Sequence, residues 1–334
     1  MRVLERLRGQ GGTSLVAGLA ILASLFAFLS QSARAADFPD KPVRIIVGFA
    51  AGGLTDRLAR LVAQQLSDAW TQTVIVENRP GASGNIGHEA VARASGDGHT
   101  LLFTSGSFSI NPSLYKSLNY DIFSDFRPVT LVATVPSLLL VPAASPIQSF
   151  DAFITAAKSR PGQLTYGSAG NGSPQHLAME LLKVSAGLHV VHVPYKGGAP
   201  AIADLIGGQT DMMFAALPEA TPHVKGNRLR ALAISSPRRS TLLPAVPTVA
   251  EGGIRDFEAV GWQGLLAPGS TPRRLVEQIH GALSQALARP EIRSQFDAMG
   301  IELSGQGPAE FGNFLGSEVK KWAAVVQRSG ARID

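Results

Sequence analysis

Val47-Gly48-Phe49-Ala50-Ala51-Gly52-Gly53-Leu54-Thr55-Asp56 joins an apolar strand pattern over 41–49 to a helical one in which Leu54, Leu58, Leu61, Val62, Leu66 and Ala69 recur on one face. A period of two gives way to a period of 3.6 at a glycine pair, which defines a strand-to-helix unit. The first amides of the helix have no partner within it, and the aligned peptide dipoles place partial positive charge there. Gly52 and Gly53 would let a carboxylate or phosphate approach those amides closely; plain turn chemistry is the competing reading.

The alternation continues outward. A second strand is expected at 74–77, a turn through NRPGASGNIG at 78–87 leads into another helix, and a third strand at 100–104 ends at Ser105 and Gly106. Such alternation implies α/β architecture with mostly parallel sheets. The apolar run 129–141, punctuated by Pro136 and Pro142, is read as a crossing into a second lobe, with a return near 260–267. Between the crossings come a helix at 150–159, a strand at 164–167, a helix after Ser173, a strand at 189–193 and a helix at 199–206. Thr271-Pro272 is expected to cap and start a long helix, and 308–327 another that packs back on the first lobe. The expected division is a signal peptide at 1–35, a discontinuous first lobe at 36–137 and 262–334, and a second lobe at 138–261.

The 334 residues begin with a leader pattern: Arg2, Arg6 and Arg8, an apolar run over 15–29, and Ala33-Arg34-Ala35 before a mature start at Ala36. The run is about 15 residues where a membrane span needs about 20, so export with cleavage is expected rather than an anchor. The chain has no cysteine, which excludes disulfides, thiolate metal sites, a thiol nucleophile and lipidation at the cleavage point. A soluble periplasmic protein, not a lipoprotein, follows. The formal net charge is +5, but the leader holds +3 of it, so the mature part at +2 carries no nucleic-acid footprint.

Three loops share the pattern of the opening stretch. Besides 47–56 there is GSAGNGSPQH at 167–176, where Ser173 is a ready N-cap and Pro174 suits the first helical position, and PYKGGAP at 194–200. Each follows a strand, and open α/β sheets bind ligands at the carboxyl ends of their strands. One helix N-terminus contributes about 0.3–1 kcal/mol, up to ~2 when partly buried, whereas micromolar affinity needs about 8 kcal/mol. Several loops would have to act together across a cleft, or else all three merely cap helices.

Individual residues have both structural and functional readings. Asp56 complements its helix dipole or fixes the glycine loop, and only secondarily meets a ligand; Phe49 is core or cleft wall; Lys196 is a surface lysine or an anion partner; His176 packs or donates to a ligand. Catalytic and metal signatures are lacking: the seven histidines include no HExxH, His189 and His192 are expected on opposite faces of a strand, and there is no GxSxG, no GxxxxGK[ST] and no GxGxxG. No metal, no cofactor and no catalytic residue is expected. A secreted hydrolase using a loop serine such as Ser173 is the remaining enzymatic alternative.

Seven stretches in order carry a resemblance: GFAAGGLTD (48–56), ENRPGASGNIG (77–87), SINPSLYKSLNYD (109–121), GSAGNGSPQHLAMELL (167–182), VHVPYKGGAPAIADLIGGQTDMMF (191–214), LPAVPTVAE (243–251) and WQGLLAPGSTP (262–272). The chain resembles the Bug-type substrate-binding proteins of tripartite tricarboxylate transporters over nearly the whole mature length. That resemblance implies a two-lobe, type II periplasmic-binding-protein fold with the ligand cleft between the lobes, closing on a small organic acid without covalent chemistry. It implies a first wall of Phe49, Ala51, Gly52, Gly53, Asp56 and Ser105. The opposing wall would comprise Ser168, Gly172, Ser173, His176, Tyr195, Lys196, Gly197 and Ala215. Ser83 departs from the usual glycine, and either places a hydroxyl near the ligand or caps a turn. The implied partners are a di- or tricarboxylate, amino acid or aromatic acid and membrane transporter subunits, with the protein a monomer and no nucleic-acid partner. A periplasmic sensor presenting its ligand to a membrane kinase is the alternative.

Overall fold

The computed structural model describes residues 38–331; the expected leader and its cleavage point at Ala35/Ala36 lie outside the described residues. From Lys41 onward the chain forms one compact unit. Among the described residues it holds eleven strands and ten α-helices, arranged around two sheets. None of these helices is long and apolar enough to cross a membrane.

The six-stranded sheet contains β1 (Val43–Val47), β2 (Val74–Asn78), β3 (Thr100–Ser105), β4 (Phe126–Val135), β10 (Gly261–Pro268) and β11 (Glu302–Gln306), in the spatial order β11-β4-β10-β3-β1-β2. The five-stranded sheet contains β5 (Ser137–Pro142), β6 (Thr165–Ser168), β7 (Val191–Pro194), β8 (Met212–Ala216) and β9 (Leu229–Ile234), ordered β7-β6-β8-β5-β9. The chain changes sheet at Pro136, between β4 and β5, and returns after β9 into β10. Pro136 cannot donate to a ladder, so a break in pairing falls there naturally.

The expectation of mostly parallel sheets holds for direction but not for pairing. In the first sheet β1 to β4 share one direction, and in the second β6 to β9 do. However, β10 lies antiparallel between β3 and β4, and β5 lies antiparallel between β8 and β9. The strands that carry the chain between sheets enter from the opposite end, which forces antiparallel neighbours in the middle of each sheet.

Helix α1 (Leu54–Trp70) buries Leu54, Leu58, Val62 and Leu66 as the apolar spacing requires. Each such side chain contributes about 1.5–3 kcal/mol of burial. Helix α8 (Arg273–Leu287) packs against α1. Its N-cap is Pro272, with no side-chain cap, and the buried Thr271 hydroxyl has no hydrogen-bond partner; the expected threonine cap is therefore corrected. Pro272 takes an extended backbone conformation (φ −58°, ψ 138°) and so occupies the cap position itself.

A second correction concerns α10 (Pro308–Ser329), which does not pack on the first sheet alone. Its early residues Phe311 and Leu315 join Trp262, Leu266 and Phe108 in one buried cluster. Its late residues Trp322, Val325 and Val326 join Met179 and Leu182 of α5 (Pro174–Ala186) in another. Twenty-two residues at about 1.5 Å each give a helix that outreaches one sheet, and its apolar stripe continues over the full length.

Candidate functional site

The β1–α1 junction is held by one carboxylate. Gly53 is the N-cap of α1 and no side chain caps the helix. Asp56, 2% exposed, accepts the Gly52 N–H at 2.9 Å, Arg60 Nε at 3.1 Å and Asn78 Nδ2 at 2.9 Å. Asn78 Nδ2 also donates to the Phe49 carbonyl at 3.0 Å. Burial works to raise the Asp56 pKa, but the bonds from Arg60, Gly52 and Asn78 outweigh it and hold the group below its ordinary value. Asp56 is thereby directed into the loop. Ala51, Gly52 and Gly53 stay exposed, and Gly52, at φ +85°, is in the left-handed region that favours glycine.

Next to this junction, the 3-10 turn Ala82–Gly84 takes positive φ at Gly81 (134°), Ala82 (48°), Ser83 (55°) and Gly84 (94°). Left-handed backbone at a non-glycine residue costs about 1–2 kcal/mol, and three hydrogen bonds offset it at Ser83. Asn111 Nδ2 donates to the Ser83 carbonyl at 3.1 Å, Tyr115 donates to Ser83 Oγ at 3.3 Å, and Ser83 Oγ donates to the Asn171 carbonyl at 3.1 Å. The last bond ties the first-sheet side to the loop after β6. Phe49, partly exposed, rests its ring edge over Gly84.

Ser105, at the end of β3, is buried, and its Oγ lies 3.1 Å from Ser107 Oγ at the start of α3 (Ser107–Leu114). A Cβ on Gly106 would lie 3.4 Å from Pro174 Cγ, so the β3–α3 junction also touches the start of α5.

The opposing loop is held by uncharged groups. Ser173 caps α5 by accepting the His176 N–H at 3.2 Å, with Pro174 at the helix start. Ser168 Oγ donates to the Gly170 carbonyl and accepts the Gly170 N–H, both at 3.1 Å, and lies 2.7 Å from His192 Nε2. Since the serine hydrogen is used on Gly170, His192 Nε2 carries the proton and donates. Gly172 N–H donates to His176 Nδ1 at 3.2 Å, which puts the His176 proton on Nε2. The two imidazoles stack at 4.0 Å, with Tyr166 at 4.8 Å from His192. Burial pushes His192 down to about 3, helped by the neighbouring His176, and His176 down to about 4, helped by Lys183. Below the stack, Tyr166 donates to Glu180 Oε1 at 2.5 Å and Lys183 pairs with the same oxygen at 2.6 Å; burial raises the Tyr166 hydroxyl.

The β7 end adds Tyr195, whose N–H bonds the Ser168 carbonyl and whose hydroxyl donates to Asp204 at 2.9 Å. Gly197 N–H bonds the Ala169 carbonyl, and Gly197, at φ +119°, leads into α6 (Gly198–Ile206) with no side-chain cap. Lys196 is exposed, with no side-chain hydrogen bond or ion pair among the described residues. Ala215 is set apart from the others: its side chain lies in the core with Leu138 and Ile202.

Nothing near Asn78 or His192 in sequence marks their partners, Asp56 and Ser168, which are distant along the chain; the sequence spacing places His192 on a strand with His189, on the opposite face. His189 precedes β7 and faces Gly162. Glu219, in the first turn of α7 (Leu217–Lys225), is also unmarked in sequence; burial raises it while Arg57 opposes the shift, and its Oε2 lies 3.0 Å from where Gly198 would carry a Cβ. Among the described residues no group of three or more His, Asp or Glu could hold a metal ion.

The model of a family described as tripartite tricarboxylate transporter family receptor matches residues 58–331. The chain is similar to protein BugT of Bordetella pertussis, 37% identical over 298 residues that cover 89% of this chain and 91% of that one. Among solved structures it is similar to R. palustris Rpa4515 with adipate (TM-score 0.83, 34% identity, 89% of this chain and 100% of that one). It is also similar to MatC (Rpa3494) from Rhodopseudomonas palustris with bound malate (TM-score 0.79, 31% identity, 86% and 100%).

Proposed function

The chain belongs to the tripartite tricarboxylate transporter receptor family, and from that premise we propose how its two walls hold a ligand. It is a two-lobe α/β solute-binding protein of periplasmic type for small carboxylates that serve a tripartite transporter. In our reading one ligand carboxylate sits on the uncapped N-terminus of α1, and the loops at 167–176 and 194–198 close over it from the other lobe. The lobes are 36–137 with 262–334 against 138–261, and the connections near Pro136 and before β10 act as hinges.

The observation that carries this reading is the Gly53 cap of α1. No side chain fills that cap, a Cβ on Gly52 would meet nothing within 4 Å, and one on Gly53 would meet only the Ala50 carbonyl at 3.6 Å. A helix N-terminus with no side-chain cap and open space beside its glycines suits a carboxylate. Ser105, Tyr195 and Lys196 are the further polar contacts we propose, while Ser168, Ser173 and His176 shape the opposing loop. Adipate and malate, named with the two similar structures, support a dicarboxylate as ligand class. We further propose that the leader is removed at Ala35/Ala36 and that the mature protein acts as a freely diffusing monomer without enzymatic turnover.

The test is purification of the mature chain, mass spectrometry of any retained acid, and thermal unfolding with di- and tricarboxylates, amino acids and aromatic acids. A ligand present at 100 times its Kd should stabilise by about 2.7 kcal/mol. No retained acid and no stabilisation by any member of the panel would overturn the assignment.

A further inference from the structure

The side chain of Gln263, in β10 beside the C-terminal end of β3, is unbonded. It is 5% exposed, its Oε1 is buried without a hydrogen-bond partner, and its amide nitrogen makes no hydrogen bond among the described residues. Buried amides are almost always satisfied, so an orphaned one calls for a partner from outside the chain. Gln263 is the residue directly opposite Ser105 in the antiparallel β3–β10 ladder. Residues paired in this way project from the same face of the sheet, so the Gln263 and Ser105 side chains are neighbours on one face, and the Ser105 hydroxyl itself leans on Ser107. A register shift in the β10–β4 ladder follows Gln263 immediately, which locally re-aims the strand at this point.

We propose that Gln263 is a specificity-determining residue that reads a hydroxyl on the ligand carbon chain, and that the protein takes hydroxy-carboxylates in preference to plain dicarboxylates. The inference rests on the carboxylate-binding reading above and narrows it. The chemistry follows from what an amide offers, an acceptor oxygen and an NH2 donor. A hydroxyl both donates and accepts and satisfies each half in turn. An ammonium group engages only the oxygen, a ketone only the NH2, and a methylene neither. A site built to bond a substrate hydroxyl rejects the analogue that lacks it, because its own buried polar group is then left unpaired.

The experiment is calorimetric titration of the mature wild-type protein and its Gln263→Met variant with malate, succinate and aspartate, together with the melting temperature of each ligand-free protein. The expected result is malate at least tenfold tighter than succinate or aspartate in the wild type. In Gln263→Met the malate-to-succinate ratio should collapse toward one, and the ligand-free melting temperature should hold or rise, since an unbonded buried amide has been replaced by an apolar side chain of similar shape. Gln263→Ala serves as the second variant if Gln263→Met folds poorly. Wild-type preference for succinate or aspartate, retention of the malate preference by the variants, or a fall in the ligand-free melting temperature would overturn the proposal; the last would mark the amide as bonded to a structural water. If malate, succinate and aspartate all fail to bind while a carboxylate without a hydroxyl group does, the hydroxyl reading falls and carboxylate capture stands. If no carboxylate binds at all, the underlying reading falls, and this inference with it.

Discussion

The loops at 47–56 and 167–176 read alike in sequence, each a strand, a run of glycines and a helix, yet the structure stabilises them by opposite means. The first is held by charge: a buried Asp56 gathers Gly52, Arg60 and Asn78, and the N-terminus of α1 is left without a side-chain cap. The second is held by neutral groups: Ser173 fills the N-terminus of α5, and Ser168, His192 and His176 lock the glycines between them. A cap that the protein fills itself is unavailable to a ligand, so two similar motifs do different work. One leaves the N-terminus of its helix open and the other closes it.

The largest expected difference between the two loops is in their pH dependence. His176 and His192 are held neutral, with folded values near 4 and 3 against an ordinary 6.5, so the unfolded chain binds more protons throughout that interval. Stability is therefore full above about pH 6.5 and is lost as pH falls toward 4 and then 3, at up to about 1.4 kcal/mol per pH unit for each histidine. Protonation of His176 at Nδ1 also removes the acceptor for Gly172 N–H. His88, buried between Tyr120 and Thr104 and pushed down to about 3, adds a background of the same sign. Asp56, by contrast, is lowered from 3.8, so its contribution persists above that value and is lost only at lower pH. Urea unfolding of wild type and His176→Asn at pH 7, 5.5 and 4.5 should show a flatter profile in the variant. An unchanged slope would remove the histidines from the account of the second loop.

Asp56→Asn is the corresponding test of the first loop. It replaces a carboxylate that accepts three donors with an amide that must point its own NH2 at one of them, and should cost about 2–3 kcal/mol in urea unfolding at pH 7. Arg60→Ala, which removes a half-exposed partner, should cost distinctly less and do so in a salt-dependent way. Equal losses would mean that the ion pair, rather than the bond to Gly52, secures the glycines.

The glycine pair separates stability from binding. Gly53, at φ −71°, accepts a side chain without backbone strain, so Gly53→Val should reduce carboxylate affinity tenfold or more, about 1.4 kcal/mol, with little change in melting temperature. Gly52, at φ +85°, should lose about 1–2 kcal/mol of stability when changed to valine. Equal stability losses at both positions would make the loop a purely structural turn. Ser173→Ala carries the smallest expected effect, about 1 kcal/mol from the lost cap and a weaker effect on affinity than Gly53→Val. A larger loss of binding from Ser173→Ala would assign the serine to the ligand and erase the contrast between the loops.

The β1–α1 unit was legible because its information is local: alternation through 43–47, helical spacing from Leu54 and glycines between them all lie within some twenty residues. The Ser173 cap and the Pro174 start were legible for the same reason. Partners far apart in sequence were not. Nothing near His192 points to Ser168, nothing near Ser83 points to Asn171, and Gln263 is placed beside Ser105 only by the β3–β10 pairing. Ala215, read as a strand end near the ligand, lies with its side chain in the core, because a strand end contributes alternate faces and spacing alone does not say which.

By itself the sequence determined the strand–helix alternation around the glycine junctions, since this rests on backbone preference and on apolar period, and its ordered motifs carried the family resemblance. Tertiary structure alone decided that β5 and β10 run antiparallel within their sheets, that α10 spans both cores, and that one glycine loop is braced by a carboxylate while the other is braced by stacked neutral imidazoles. Those outcomes depend on which distant groups are buried together, because burial sets both the need for a hydrogen-bond partner and the charge a side chain can keep.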